Sequence, residues 1–454
     1  MKKLINNRNP TLESVLNTRT ISSPAMEEAV SLWLDMYRNE PPWLGVNGCT
    51  HSLNLPAGIA SEAARLMLTE FSFALSGGER AAFLRECLKN TLDNLSGIAE
   101  IWCALGGIVL KPYAYGSGGE ADAPDRIAVD TVRADRFRPV SFASDKTITG
   151  AVFTEKKRTG DCVYTRLERH SLSGDRYTVV NRAFRCERPY TAFPGAAARP
   201  YGREIPLDAV DDWRGIRPVT VIDGVRKPLF TYIRTPFANT VDPDSPLGVS
   251  VFARARDLIE EADRQFSRTV WEYEAKEAAI DADENLFMTD RKGNPVLPVG
   301  RERLFRTYDF GSTGFLQAYS PEIRDAAMWG GLNRILRGVE FACGLACGTL
   351  SDLSGESARE RTATEIRYSK QRSYASVNAM QRAWDAGFDG LLYAMETLCD
   401  LYGMAPGGTV EKTVTWGDGV LEDTEAEYDR RLRMVDMGIL SKDEFREWYF
   451  GSQE

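Results

Sequence analysis

Apolar residues recur at helical spacing in the first hundred residues. Behind Ser23-Pro24, a cap and a first-turn proline, come Ala29, Leu32, Trp33 and Met36, and Pro41-Pro42 breaks the run. The period returns from about Pro56 through Ile59, Ala63, Leu66, Met67 and Phe71, with Gly77-Gly78 predicted to end it. A third helix is predicted from Glu79 to Leu105, stopped by Gly106-Gly107, with Ile108–Tyr113 as a strand.

The pattern then shortens. Val152–Thr154, Val163–Glu168 and Tyr177–Val180 are rich in β-branched and aromatic residues, and Thr159-Gly160-Asp161 and Ser173-Gly174-Asp175 separate them as turns. An antiparallel sheet over about Ile127 to Cys186 follows. Pro189, Pro194, Pro200 and Pro206 mark 187–215 as a connection.

Helical spacing resumes after Pro246-Leu247-Gly248 with Val251, Phe252, Ala255, Leu258, Ile259, Ala262, Phe266, Val270 and Tyr273. Carried to Ala279, it predicts a helix of ~30 residues and ~45 Å. Asp290-Arg291-Lys292-Gly293-Asn294 reads as a turn between short strands, and a second helix is predicted from Pro321 to Cys343. A Gly/Ser-rich stretch follows (Gly344, Gly348, Ser351, Ser354, Gly355, Ser357). The longest helix runs from Thr364 through Trp384, Phe388, Leu391 and Met395 to Gly403. A strand at 410–416, a charged helix over Glu422–Met437 and a short helix from Ser441 close the chain. The fold class predicted is α+β.

Composition narrows the function. At 43% hydrophobic and 27% charged residues, the 454-residue chain is that of a folded protein of two or three domains. A net charge of −9 argues against a protein that grips nucleic acid by neutralising phosphates, but not against one that DNA slides past. Most of the eight cysteines sit in apolar runs, as small buried hydrophobes of a reducing cytosol. With two histidines, His51 and His170, a zinc site at Cys343 and Cys347 is not expected. Met1–Arg8 lacks the apolar core of a signal peptide, and no run is long enough to span a membrane, so cytoplasmic assembly without a membrane is predicted. P-loop, GxSxG and HExxH patterns are missing, and Gly116-Ser117-Gly118-Gly119 reads as a surface loop. Glu260-Glu261, with Arg264 and Arg268 a turn away, reads as an ion-paired helix face, and His170 as a packed histidine. Neither a catalytic residue nor a cofactor is predicted.

The order of parts resembles phage portal proteins, in particular the SPP1-like and A118-like group. Tyr164–His170 ending at Val180-Asn181 is similar to that group's strand pair. Pro236-Phe237-Ala238-Asn239 with Ser245–Ser250 resembles the entry to its first stem helix, where Ala262-Asp263 and Glu272-Tyr273-Glu274 also fit. Arg361–Ile366 resembles the segment opening its long wing helix. The resemblance spans about 25–450, and the order and spacing of these short motifs carry it.

The resemblance implies a portal fold: a wing over 1–245, stem helices over 246–279 and 321–344, a clip over 280–320, and a tunnel loop over 345–363. A long wing helix over 364–403 follows, and 404–454 hold a strand and short helices with little or no crown. It implies a ring, typically dodecameric, at one capsid vertex of the virion, assembled in the host cytoplasm. Double-stranded DNA passes through it, and terminase, the head–tail adaptor, scaffold and major capsid protein are partners. Asp352, Ser354, Gly355, Glu356, Ser357, Arg359, Glu360 and Arg361 would line the DNA channel; Arg301, Arg303, Phe305, Arg306 and Tyr308 would bind partners at the clip. Two other readings stay open: another virion structural protein, such as a minor capsid or tail component, and a hydrolase using paired carboxylates.

Overall fold

A computed structural model of the chain describes residues 15–116, 124–186, 201–276, 279–292, 294–297, 304–308, 316–320, 322–352, 363–417 and 424–450. It is a mixed α+β structure, 43% helix and 26% strand, with several antiparallel sheets.

Helix α1 (Pro24–Tyr37) starts where its cap predicts: the Ser23 side chain accepts from Met26 N, and Met26, Val30, Trp33 and Met36 face the core. Helix α2 (Leu55–Met67) ends ten residues before Gly77. Glu70 takes a left-handed turn (φ 56°) and the chain enters strand β1 (Ser72–Ser76). Gly77 serves a different purpose from ending a helix: at φ 115° its backbone passes so close to Thr409 that a Cβ would sit 2.1 Å from that carbonyl oxygen. The predicted third helix is two, α3 (Gly78–Asp93) and α4 (Leu95–Leu105). The break falls at Asn94, whose side-chain amide donates to the Asn90 carbonyl at 2.8 Å and competes with the helix ladder.

Strand β2 (Gly107–Tyr115) is the centre of a three-stranded antiparallel sheet, between β3 (Arg126–Arg133) and β10 (Thr231–Arg234). The predicted β region is a larger antiparallel sheet of β4 (Phe137–Phe142), β5 (Ile148–Thr159), β6 (Cys162–Ser173) and β7 (Arg176–Cys186). Both predicted turns join its long strands. Within 187–215, residues 187–200 lie outside the described residues; β8 (Arg203–Ile205) pairs with one end of β7 and β9 (Val219–Asp223) with the other.

Helix α5 (Arg256–Ala275) has 20 residues, so it is about 30 Å long and not 45. Residues 248–252 are buried and bonded elsewhere before it starts: Val249 N donates to Thr235 Oγ1 and Val251 N to the Cys103 carbonyl. Strand β11 (Ala279–Asp283) then pairs in parallel with β12 (Phe305–Tyr308) and antiparallel with β13 (Leu316–Tyr319). Helix α6 runs Asp325–Cys343, four residues later than predicted at its start and as predicted at its end. Cys347 lies beyond it, so the two cysteines do not share a helix.

Helix α7 (Ala363–Tyr402) is 40 residues long, about 60 Å. It is not peripheral. Trp384, Phe388, Leu391 and Met395 enter the core of α1–α4, and Trp384 meets Trp102 edge-on at 5.6 Å. Strand β14 (Glu411–Thr415) pairs with β1, tying the last tenth of the chain to the first fifth. Helices α8 (Thr424–Asp436) and α9 (Lys442–Phe450) follow; a reciprocal Ser441–Glu444 capping box opens α9.

Candidate functional site: a two-helix arm, its tip sheet and the root of the loop

Helices α5 and α6 pack chiefly on one another, and the β11–β13 sheet joins their far ends. The arm is lashed to the helical region by polar groups. The buried Asp263 carboxylate accepts from Trp43 Nε1 at 3.0 Å and Leu53 N at 2.8 Å, and burial raises its pKa against those bonds. One turn on, Ser267 Oγ accepts from Thr50 N and His51 N at 3.2 and 3.1 Å.

At the outer end of the arm Glu272 makes a bidentate pair with Arg324 at 3.0 and 2.8 Å, and Lys276 adds a contact at 2.7 Å. Arg324 and Lys276 hold the Glu272 carboxyl down to about 2. Tyr273 OH bonds to Asp325 and accepts from Trp329 Nε1 at 2.9 Å. The motif residues Glu272 and Tyr273 therefore form a neck that joins the two helices where the tip sheet begins.

The side of α5 turned to its own chain is largely polar: Asp263, Ser267, Thr269 and Glu272 are buried. Trp271 and Tyr273 are exposed instead, Trp271 by 64%, and Ile323, Trp329 and Phe341 are exposed on or beside α6. Glu260 and Glu261 pair with Arg264 and Arg268 as predicted.

The tip sheet places three of the five residues predicted for the clip; Arg301 and Arg303 lie outside the described residues. Phe305 is half-buried, edge-on to Phe287 at 5.5 Å. Arg306 forks onto Asp281 at 2.7 and 3.1 Å and lies 4.4 Å over the Tyr319 ring. Tyr308 is exposed by 45%, and Leu316 and Met288 in the same tip are more exposed still. Arg306 thus braces the sheet, and Tyr308 is exposed beside it.

Of the residues predicted for the channel, Asp352 alone is described; Ser354, Gly355, Glu356, Ser357, Arg359, Glu360 and Arg361 lie outside the described residues. Asp352 is exposed, and its backbone exchanges two bonds with the Asn333 side chain at 2.8 and 2.9 Å. Sequence reasoning missed the residue that roots this segment, Glu340. It is 1% exposed on α6, between Val339 and Phe341, and an acid beside Val339 and Cys343 on the buried stripe was the available signal.

The strand pair Tyr164–His170 and Val180-Asn181 forms a separate cluster, between the sheet of β2 and that of β6. Glu168 receives Lys111 of β2 at 2.6 Å, Arg166 at 3.2 Å and His170 Nε2 at 2.7 Å, while Arg166 also reaches Asn181 at 3.0 Å. Burial alone would raise Glu168, but Lys111 and Arg166, together with the bond from His170, hold it well below the usual range; burial lowers His170 and favours its neutral form.

Among the described residues, no group of three or more His, Cys, Asp or Glu side chains is placed to hold a metal, and no helix is long and apolar enough to cross a membrane. No protein-family model and no curated protein matches the sequence.

Proposed function

We propose that this chain is the portal subunit of a tailed phage, a non-catalytic ring component at one capsid vertex through which double-stranded DNA is packaged and ejected. The observation that carries the reading is the arm. It turns Asp263, Ser267, Thr269 and Glu272 inward and leaves Trp271 and Trp329 exposed, Trp271 by 64%. Large exposed side chains concentrated on a projecting arm mark a surface that another chain covers. A neighbour related by rotation supplies that cover at every arm, and a head-to-tail contact repeated by rotation closes into a ring.

The order wing, helix, tip sheet, helix, loop and 40-residue helix supports the same reading, as does the acidic balance of a protein that guides DNA without holding it. On this reading the tip sheet docks terminase and later the head–tail adaptor, and scaffold and major capsid protein meet the wing. Negative-stain imaging and native mass of the purified chain at micromolar concentration test it. Closed rings with an axial bore are the expected result, and compact monomers overturn it.

A further inference from the structure

We propose that Glu340 is a positioning residue that clamps the first part of the Gly/Ser-rich segment, residues 345–352, onto helix α6 as a fixed strap. The inference goes beyond the portal reading, because it stands on the geometry of one chain and holds whether or not that chain forms a ring.

The strap begins with the helix end. Gly344 takes the left-handed conformation (φ 73°), Leu345 N donates back to the Glu340 carbonyl at 2.9 Å, and Ser373 Oγ of α7 donates to the Gly344 carbonyl at 3.2 Å. The chain is then free to turn back along α6, and the Glu340 side chain is what receives it. Its Oε1 accepts from Gly348 N at 3.0 Å, Leu350 N at 2.7 Å and Ser351 N at 2.8 Å, and its Oε2 accepts from Ser351 Oγ at 3.0 Å. Two turns nearer the start of α6, Asn333 takes both the N–H and the carbonyl of Asp352. The two anchors are seven residues apart on α6 and so lie on nearly the same side of it.

The physical case is that neither side can let go cheaply. A carboxylate 1% exposed needs donors for both oxygens, and the donors it has here are the strap's own amides and hydroxyl. Three N–H groups converging on one anion form a nest of the kind backbone builds for phosphate, here closed by a residue of the same chain. Freeing the strap would strand that carboxylate in a buried position, so the segment through Ser351 moves with α6 as one body.

Site-resolved amide hydrogen exchange on the full chain tests the clamp. In the wild type, the amides of Gly348, Leu350 and Ser351, bonded to the Glu340 carboxylate, and that of Asp352, bonded to the Asn333 side chain, should exchange at least about tenfold more slowly than in an unstructured peptide. Glu340→Ala removes the acceptor of all three of the first amides, and should speed them about tenfold or more while β6 and β7 keep their protection. Asn333→Ala should release Asp352 without affecting Gly348. Unprotected amides in the wild type, or unchanged rates in Glu340→Ala, overturn the proposal. So does a loss spread equally over β6 and β7, which would give Glu340 a role in global folding and none as a local clamp. None of these measurements uses a ring or DNA, so a failure of the portal reading and a failure of the clamp are read separately.

Discussion

At the scale of single residues, the carboxylates of Glu168, Asp263 and Glu340 are each satisfied by several converging donors. His170 shows how closely the chemistry is fixed. Ionised Glu168 can only accept, so His170 Nε2–H donates to it, and Nδ1 is left to accept from Tyr177 OH at 2.7 Å. The cluster ties β2 of one sheet to β6 of the other through Lys111, which is a registering function and needs no access to solvent. Glycines are the complementary case. Gly106 ends α4 at φ 79°, and a Cβ there would lie 2.5 Å from the Val249 carbonyl carbon. Gly97, also in α4, has nothing within 4 Å. Gly106→Ala should therefore destabilise by about 2–5 kcal/mol, from left-handed strain plus overpacking. Gly97→Ala should be neutral or stabilising by up to about 1 kcal/mol, as in an exposed helix position. Thermal midpoints of the two variants check this, and equal shifts would contradict it.

At the scale of elements, two helices were placed by their neighbours as much as by their own pattern. Helix α7 lies against β10 because Gly387 and Gly390 let it: a Cβ at either would come within 2.4–2.6 Å of Ile233 or Thr231. Helix α5 is shortened because its expected first residues are bonded to Thr235 and Cys103. Arg306→Ala, losing the fork to Asp281, should loosen the sheet and raise amide exchange in β11 and β12. On the portal reading, Tyr308→Ala should weaken adaptor binding about tenfold or more, as loss of an aromatic anchor does. Pull-down of adaptor by assembled rings, alongside exchange in the same variants, distinguishes the two. Unchanged binding by Tyr308→Ala would remove it from the docking surface.

At the scale of the molecule, the chain leaves the helical region after α4, builds two sheets and the arm, and returns through α7 and β14 to the core it left. Arg80 fastens that return: it pairs with Asp400 and donates to the carbonyls of Ala405 and Pro406 at 2.9 and 3.1 Å. On the portal reading, an arm tied to the helical region through Asp263 and Ser267 suits a ring whose bore must pass DNA without holding it. The segment 349–363 carries Asp352, Glu356 and Glu360 against Arg359 and Arg361. Replacing the three acids by Lys changes each copy by +6, which a ring multiplies around the duplex and turns into counterion release. On the portal reading, rings should still form, and packaging should slow or stall, more so at low salt where the Debye length grows. Packaging at the wild-type rate by that variant would exclude the segment from the channel wall.

The sequence by itself determined what local physics determines. The capped start of α1, the paired strands of the larger sheet with their Gly-Asp turns, the ion-paired face of α5 and the span of α7 all follow from period, caps and turn chemistry within a few residues. The tertiary structure decided where long-range partners compete with those signals. Gly77 faces Thr409 and so ends no helix, and β1 exists because β14, more than three hundred residues on, pairs with it. The motif acids Asp263, Glu168 and Glu272 have no visible role in sequence because their partners come from Trp43, Lys111 and Arg324 on other elements. Glu340 is the clearest case: its position on the buried stripe was legible, but the amides that make it an anchor reach it only once Gly344 has turned the chain back on α6.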